Sequence, residues 1–508
     1  MRKVAPFWPV IIALVSLKFI LPFILQSPVY ELQRDEYLYY AQGQHPAYGY
    51  LENPPLLGWL ATISSWLGGS IFWIKFWPSF FGAGTVVITC LTAASLGGNR
   101  FAQTLAGAAI ISGAFLRVHF LFQPNFLDIF FWTLSIYAII SYINTGRKSF
   151  LYLFCLALTF GFLSKYSVLF IAVAVLLSLL LSRHRVLFRE KKLYFGVFIG
   201  LLIIAQNIVW QYQYNWPLVH HMNELQETQL KFNSPMDFIK EQLVMLLPAI
   251  WIWIAGLIWL TRQRQWRFIA MTYALVLILL ILGSGKGYYA LGIYPPLLAA
   301  GGVAWEQWSA RKYWVRYTAV FILIAFTWLV IPLALPTRTP VKLAALYEKI
   351  GAKNKWEDQA YHPLPQDFAD MLGWKELASK AEQLYTFLPD STQAKTIVFC
   401  DNYGQAGSMK YYGRSEQFRG KVITANGSFL LWTPVNKLDF ENMLFIGKEI
   451  PSHELFNHFR SILVADSVTN TYSRQLGDKV FFCQKIDSVG REMIKTAWQK
   501  RREVFSRR

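Results

Sequence analysis

Charge is scarce in this chain, and cysteine is scarcer. Only 16% of its 508 residues are charged, against 54% hydrophobic and 17% aromatic. Such fractions exclude an ordinary soluble domain and fit a polytopic membrane protein. Four cysteines are too few for a disulfide framework. Cys90 and Cys155 fall in apolar runs, while Cys400 and Cys483 fall in strand-like segments. A Cys400–Cys483 bridge stays open there, beside the default of buried free thiols. Internal repeats and low-complexity segments are lacking. The first apolar run, 7–25, also lacks the small-residue cleavage site of a secretory signal and is expected to remain as a span.

What is there is a series of apolar runs, each near the roughly 17–25 residues that cross a bilayer. They lie at about 7–25, 71–96, 101–117, 126–143, 150–164, 167–182, 193–212, 238–261, 267–283, 288–304 and 315–335. This predicts a mainly α fold: a polytopic bundle of about eleven transmembrane helices. Acids are the rarer sign, 30 against 49 Lys and Arg, for a net charge of +19. With a cytoplasmic N-terminus, sixteen of the cations that precede residue 336 fall in inside segments and seven outside. That is the positive-inside pattern. The basic balance is therefore a topology signal, and no nucleic-acid partner is expected. The same count predicts an inner-membrane protein whose residues 336–508 lie outside the cytoplasm.

Residues 336–508 change character after Pro332, Pro336 and Pro340, which separates a transmembrane domain (1–335) from an α/β domain (336–508). Short strands are predicted at 395–400, 421–424, 442–446, 462–465 and 479–483, and helices at 368–388 and 452–460. The final RREVFSRR reads as a solvated basic tail, with contact to anionic lipid as the alternative.

The chemistry concentrates in the predicted outer loop, about 26–70. Asp35 and Glu36 follow the first run there, with Tyr39, Tyr40, Glu52 and Asn53 behind them. Adjacent residues on a helix point about 100° apart, so one acid is expected to act while the other holds the loop. Asp128 opens the fourth run at the same depth. A carboxylate under a partly dry lid suits a base that takes a proton from an attacking hydroxyl. The plainer alternatives are a helix cap for Asp35 and an N-terminal helix acid for Asp128. Lys165 in FLSKYS and Lys286 in GSGKGYYALGIYPP sit at outer boundaries, near Tyr288 and Tyr289. Either could neutralise charge growing on a phosphate leaving group, or could simply snorkel to headgroups.

These stretches together resemble the GT-C integral-membrane glycosyltransferases of family 39, which include protein O-mannosyltransferases and the lipid A aminoarabinose transferase. The matching pieces are Asp35-Glu36 with Tyr39 and Tyr40, YLENPPLLGWL, Asp128 before FFW, GFLSKYS, NIVWQYQYNWP and GKGYYALGIYPP. The resemblance implies an inverting transferase that uses a polyprenyl-phosphate sugar donor and an extracytoplasmic glycan, lipid or protein acceptor. It makes Asp35 the catalytic carboxylate, with Lys165 and Lys286 near the lipid phosphate; on this reading Asp128 and Glu36 support Asp35 or bind sugar hydroxyls. It requires no cofactor, although some relatives use a divalent cation. Asn53 stands where the aminoarabinose transferases have Lys, and Leu38 where they have Arg. The general chemistry therefore carries over, and that sugar and acceptor do not.

Other features are weaker. His220, His221 and Glu224 match no zinc spacing, GSGKG lacks P-loop spacing, and Asn426-Gly427-Ser428 is an idle sequon. A transporter or flippase of lipid-linked sugars is the rival reading. It would place its ionisable groups near the midplane, in repeated halves; here the acids lie outside and no halves repeat.

Overall fold

The computed structural model describes residues 4–228, 230–435, 438–450 and 453–506. Arg2, Lys3, Ser452, Arg507 and Arg508, which entered the expectations above, lie outside the described residues.

Among the described residues, sixteen α-helices run through the first two-thirds: α1 (Trp8–Leu25), α2 (Arg34–Gln44), α3 (Leu56–Trp66), α4 (Ile71–Ser95), α5 (Arg100–Ala109), α6 (Ala114–Val118), α7 (Asn125–Thr145) and α8 (Ser149–Ser164). They continue as α9 (Val168–Leu180), α10 (Lys191–Gln213), α11 (Pro217–Thr228), α12 (Pro235–Val244), α13 (Ile250–Arg262), α14 (Arg267–Leu282), α15 (Tyr294–Trp308) and α16 (Tyr313–Ala334). Among the described residues, five are long and apolar enough to cross a membrane: α1, α4, α7, α10 and α16. Two bent pairs raise the number to seven. The other four expected spans fold around shorter helices: α5, α8, α14 and α15. α15 is buried almost throughout and packs on α13 through glycine. A Cβ on Gly256 would stand 2.0 Å from the Leu297 carbonyl oxygen, and one on Gly301 2.0 Å from that of Ile252. Only glycine lets these backbones approach so closely.

The expected span 101–117 is broken, for a reason 92 residues away. Lys18 is buried in α1, and its Nζ donates to the carbonyls of Ile110 (3.1 Å) and Phe115 (3.0 Å). The chain turns between them, with Gly113 at φ +57°. The ammonium replaces helical partners that these carbonyls would otherwise find, and α5 ends there.

Beyond α16, a hairpin of β1 (Asn354–Lys355) and β2 (Tyr361–His362) precedes a five-stranded mixed sheet. Its strands are β3 (Thr396–Cys400), β4 (Val422–Ile423), β5 (Asn442–Gly447), β6 (Phe459–Ser467) and β7 (Lys479–Ile486), in the order β4-β3-β5-β7-β6. β3 pairs parallel with β4 and β5; β7 is antiparallel to β5 and β6. All five expected strands are present. The helix expected over 452–460 is only His453–Phe456, because β6 begins at Phe459.

Side chains alternate between the two sheet faces with period two. Val398, Cys400, Leu444, Ile446 and Val480 pack under the helix Trp374–Phe387, together with Leu38 and Ala41 of α2. Ile397, Met443, Phe445, Phe481 and Cys483 pack under the helix Ser488–Glu503, together with Leu51 and Trp210. Both faces are thus closed partly by residues from the first half of the chain. Cys400 and Cys483 are free and buried. They belong to opposite faces, which rules out the bridge left open above.

Candidate functional site

α2 opens with a capping box. The Gln33 side chain accepts from the Asp35 amide, and Glu36 accepts from the Gln33 amide at 2.8 Å. This fixes the first turn and sends its two acids in different directions. Glu36 is fully buried. Its carboxylate takes Lys75 Nζ at 2.6 and 2.7 Å and the Phe122 amide at 2.6 Å. Lys75, one turn inside α4, lies 4.0 Å over the Phe120 ring. With every oxygen engaged, Glu36 ties α2 to α4 and to the 119–124 segment. It is the acid that holds, and direct contact with sugar hydroxyls does not fit its position.

Asp35 faces the other way, with 23% of its side chain exposed. Oδ1 accepts from the Tyr403 hydroxyl at 2.7 Å and from Arg34 Nε at 3.3 Å; Oδ2 accepts from Gln123 at 3.3 Å. Burial and the Asp35 charge hold the Tyr403 phenol well above its ordinary range, so it donates. Tyr403 opens the helix Tyr403–Tyr412, capped by Asn402 and Gln405 in a second capping box. Gly407 of that helix lies against Tyr37, where a Cβ would be 2.7 Å from the Tyr37 Cβ.

The remaining candidates divide into two groups. Tyr39, one turn after Asp35, lies in the electrostatic field of Asp35, Glu52 and Tyr289. Tyr289 in turn lies beneath Lys165, whose Nζ is 4.0 Å from the ring centroid and 5.6 Å from that of Tyr288. Lys165 donates to Asn125 at 2.7 Å, and Lys286 is near enough to feel its charge. Asp128 is buried at the start of α7. Oδ2 accepts from Ser167 at 2.9 Å, while Oδ1, with the Trp132 side chain beside the carboxyl, makes no hydrogen bond of good geometry among the described residues. Asp35, Tyr39, Tyr288, Tyr289, Lys165, Lys286 and Asp128 thus converge at one end of the bundle.

Tyr40, Glu52 and Asn53 belong instead to packing. Tyr40 meets Tyr411 edge-on at 5.4 Å. Glu52 holds the turn at Gly427, accepting from the Ser428 amide (2.7 Å) and hydroxyl (2.6 Å). Asn53 is buried and accepts from Gln42 at 2.8 Å, with its amide on the Pro54 carbonyl. Glu52 and Asn53 turn their polar atoms onto the chain itself and Tyr40 packs its ring on Tyr411, which suits a scaffold.

Around this centre, Glu31 accepts from the Lys375 amide at 2.7 Å, and burial pushes its carboxyl up to about 7. Asp370, whose carbonyl accepts from the Arg34 amide, is likewise pushed up by burial to about 6 while pairing with Arg474 at 3.0 Å. His220, His221 and Glu224 lie on α11, and no cluster of three His, Cys, Asp or Glu suited to a metal ion occurs among the described residues.

Sequence reasoning missed Tyr403, Gln123 and Lys75. A lysine early in an apolar run needs a counter-charge, so Lys75 was legible. The Asn402–Gln405 box marked a helix start, but nothing local pointed Tyr403 at Asp35.

The described residues thus form a bundle of helices with acids at one end, capped by a sheet-bearing C-terminal region. Residues 52–210 match the family described as dolichyl-phosphate-mannose-protein mannosyltransferase. The chain is 23% identical over 224 residues to the lipid A galacturonosyltransferase RgtD of Rhizobium johnstonii, covering 42% of this chain and 46% of that protein. The match thus spans about half the length of that relative. The fold is similar to ArnT from Cupriavidus metallidurans bound to undecaprenyl phosphate (TM-score 0.64, 12% identity, 94% of this chain and 98% of that one). It is also similar to the oligosaccharyltransferase AglB from Archaeoglobus fulgidus (TM-score 0.50, 11% identity, 89% and 70% of the chains).

Proposed function

We propose that this protein transfers a sugar from a polyprenyl-phosphate donor to an acceptor at the outer face of the inner membrane. The acceptor is a glycan, lipid or protein. Its residues 1–335 form the transferase domain and 336–508 an extracytoplasmic domain. Asp35 takes the proton of the acceptor hydroxyl as it attacks the anomeric carbon, which inverts that centre. The bond from that carbon to the phosphate oxygen breaks, and the polyprenyl phosphate leaves. Lys165 and Lys286 neutralise the phosphate, and Asp128 binds sugar hydroxyls through its Oδ1.

The observation that carries this reading is the hydrogen-bonded chain from Asp35 through Gln123 (3.3 Å) and Asn125 (3.3 Å) to Lys165 (2.7 Å). It joins a part-exposed carboxylate to a cation cradled by aromatic rings. Undecaprenyl phosphate in the ArnT structure and the galacturonosyl transfer in the name of RgtD support it.

The test compares envelope glycans and lipids by mass spectrometry in cells carrying the wild type, no chain, or Asp35→Asn. Loss of a base costs about 10²–10⁴ in rate. One sugar modification is therefore expected to vanish without the chain and not to return with Asp35→Asn, although that variant still binds undecaprenyl phosphate. Full restoration by the Asn variant would move the base to Asp128.

A further inference from the structure

The helix Ser488–Glu503 reads SVGREMIKTAWQKRRE and has two unlike faces. Ile494 and Trp498 are buried against the sheet, whereas Lys500, Arg501 and Arg502 are exposed. Five cations (Arg491, Lys495, Lys500, Arg501, Arg502) outnumber two acids (Glu492, Glu503) in this helix. Asp401 lies within electrostatic range of Arg501, which leaves the cluster net positive.

The end of the helix fixes where this cluster sits. The Asn215 side-chain amide donates to the Val504 carbonyl at 2.8 Å, and the His220 ring meets Phe505 at 5.6 Å. Asn215 follows by two residues the end of α10, one of the five long apolar helices. The C-terminal helix therefore touches down where a span leaves the hydrocarbon. Exposed Tyr212 and Trp216 stand at the same level, as aromatics do at a lipid–water boundary. Val219 and Met222 of α11 continue the apolar surface outward.

Depth settles which ligand the cluster meets. Lys500 and Arg502 precede Val504 by four and two residues, about 3–6 Å along a helix. The headgroup layer on each side of the hydrocarbon is about 5–8 Å deep. The basic side chains therefore lie within reach of lipid phosphates.

We propose that Lys500, Arg501 and Arg502 form a docking surface for anionic phospholipid headgroups, which fastens the C-terminal region to the bilayer beside α10. Arg502 already donates to the Leu431 carbonyl at 3.1 Å, which holds its fork in place. The planar guanidinium matches phosphate oxygens in pairs. Each cation near an anionic surface strengthens contact by on the order of fivefold, and three together by on the order of a hundredfold. This inference stands independently of the sugar-transfer reading.

The test uses the full chain in nanodiscs of phosphatidylcholine, and of phosphatidylcholine mixed with phosphatidylglycerol, with hydrogen–deuterium exchange read over 488–506. Exchange is expected to slow by on the order of tenfold or more in the anionic discs, and the difference is expected to fade in high salt. The triple variant Lys500→Gln, Arg501→Gln, Arg502→Gln should match the wild type in phosphatidylcholine, showing an intact helix, and lose the response to phosphatidylglycerol. Equal exchange of the wild type in both discs overturns the proposal, as does a triple variant that keeps the response. Protection reproduced by inorganic phosphate in phosphatidylcholine discs would also overturn it, since the cluster would then be a free-anion site.

Discussion

Asp35 and Glu36 lie in opposite surroundings because a helix turns about 100° per residue. Glu36 meets a buried ammonium and two amides; Asp35 meets a phenol, an amide and a guanidinium at a part-open surface. Tyr403→Phe removes the phenolic donor and keeps the ring, which lies 5.6 Å from the Arg34 guanidinium. A hydrogen bond to a charged acceptor is worth about 1.5–3 kcal/mol. The modified glycan or lipid should therefore form about ten- to a hundredfold more slowly in Tyr403→Phe cells. The purified variant should melt close to the wild type. An unchanged product yield would detach Tyr403 from the chemistry.

At the scale of the element, α2 is held by α4 on one side and by the helix Tyr403–Tyr412 on the other. Residues 26–70 read in the sequence as one outer loop, with one of its two adjacent acids expected to act and the other to hold the loop. The sequence did not reveal that α2 is an embedded helix. Tyr37, Leu38, Tyr40 and Ala41 are buried on successive sides, so RDEYLYYAQGQ shows no single apolar stripe for periodicity to find. The break in 101–117 was hidden for the same kind of reason, since Lys18 acts from another helix. The Lys75–Glu36 bond gives a sharp expectation. Lys75→Met leaves a buried carboxylate unpaired and should cost about 3–5 kcal/mol, read as a large fall in melting temperature in detergent. Adding Glu36→Gln to Lys75→Met should recover most of that fall. If the double variant melts as low as the single one, the ion pair is not what joins α2 to α4.

For the whole molecule, the five strands were legible because both sheet faces are apolar and the segments are short and bounded by turn residues. The packing of that sheet onto Leu38, Ala41, Leu51 and Trp210 was not, because it depends on contacts between residues hundreds apart. Orientation rests on the excess of cations in alternate segments. Cysteine at exposed Ser391 should react with a membrane-impermeant reagent in intact spheroplasts, and cysteine at exposed Arg185 should not. The four native thiols are buried, so background labelling should be low. Reversed labelling would invert the molecule and put the acids on the cytoplasmic side. The bond between Asp35 and Tyr403 spans 368 residues of sequence. At about 5–20 residues per second of translation, the ribosome delivers the phenol about 20–70 s after the carboxylate. A nascent chain can therefore have its helices in the bilayer while its reaction chamber is unfinished, and on the proposed reading it cannot work at full rate on the lipid carrier until the last third has been made and folded.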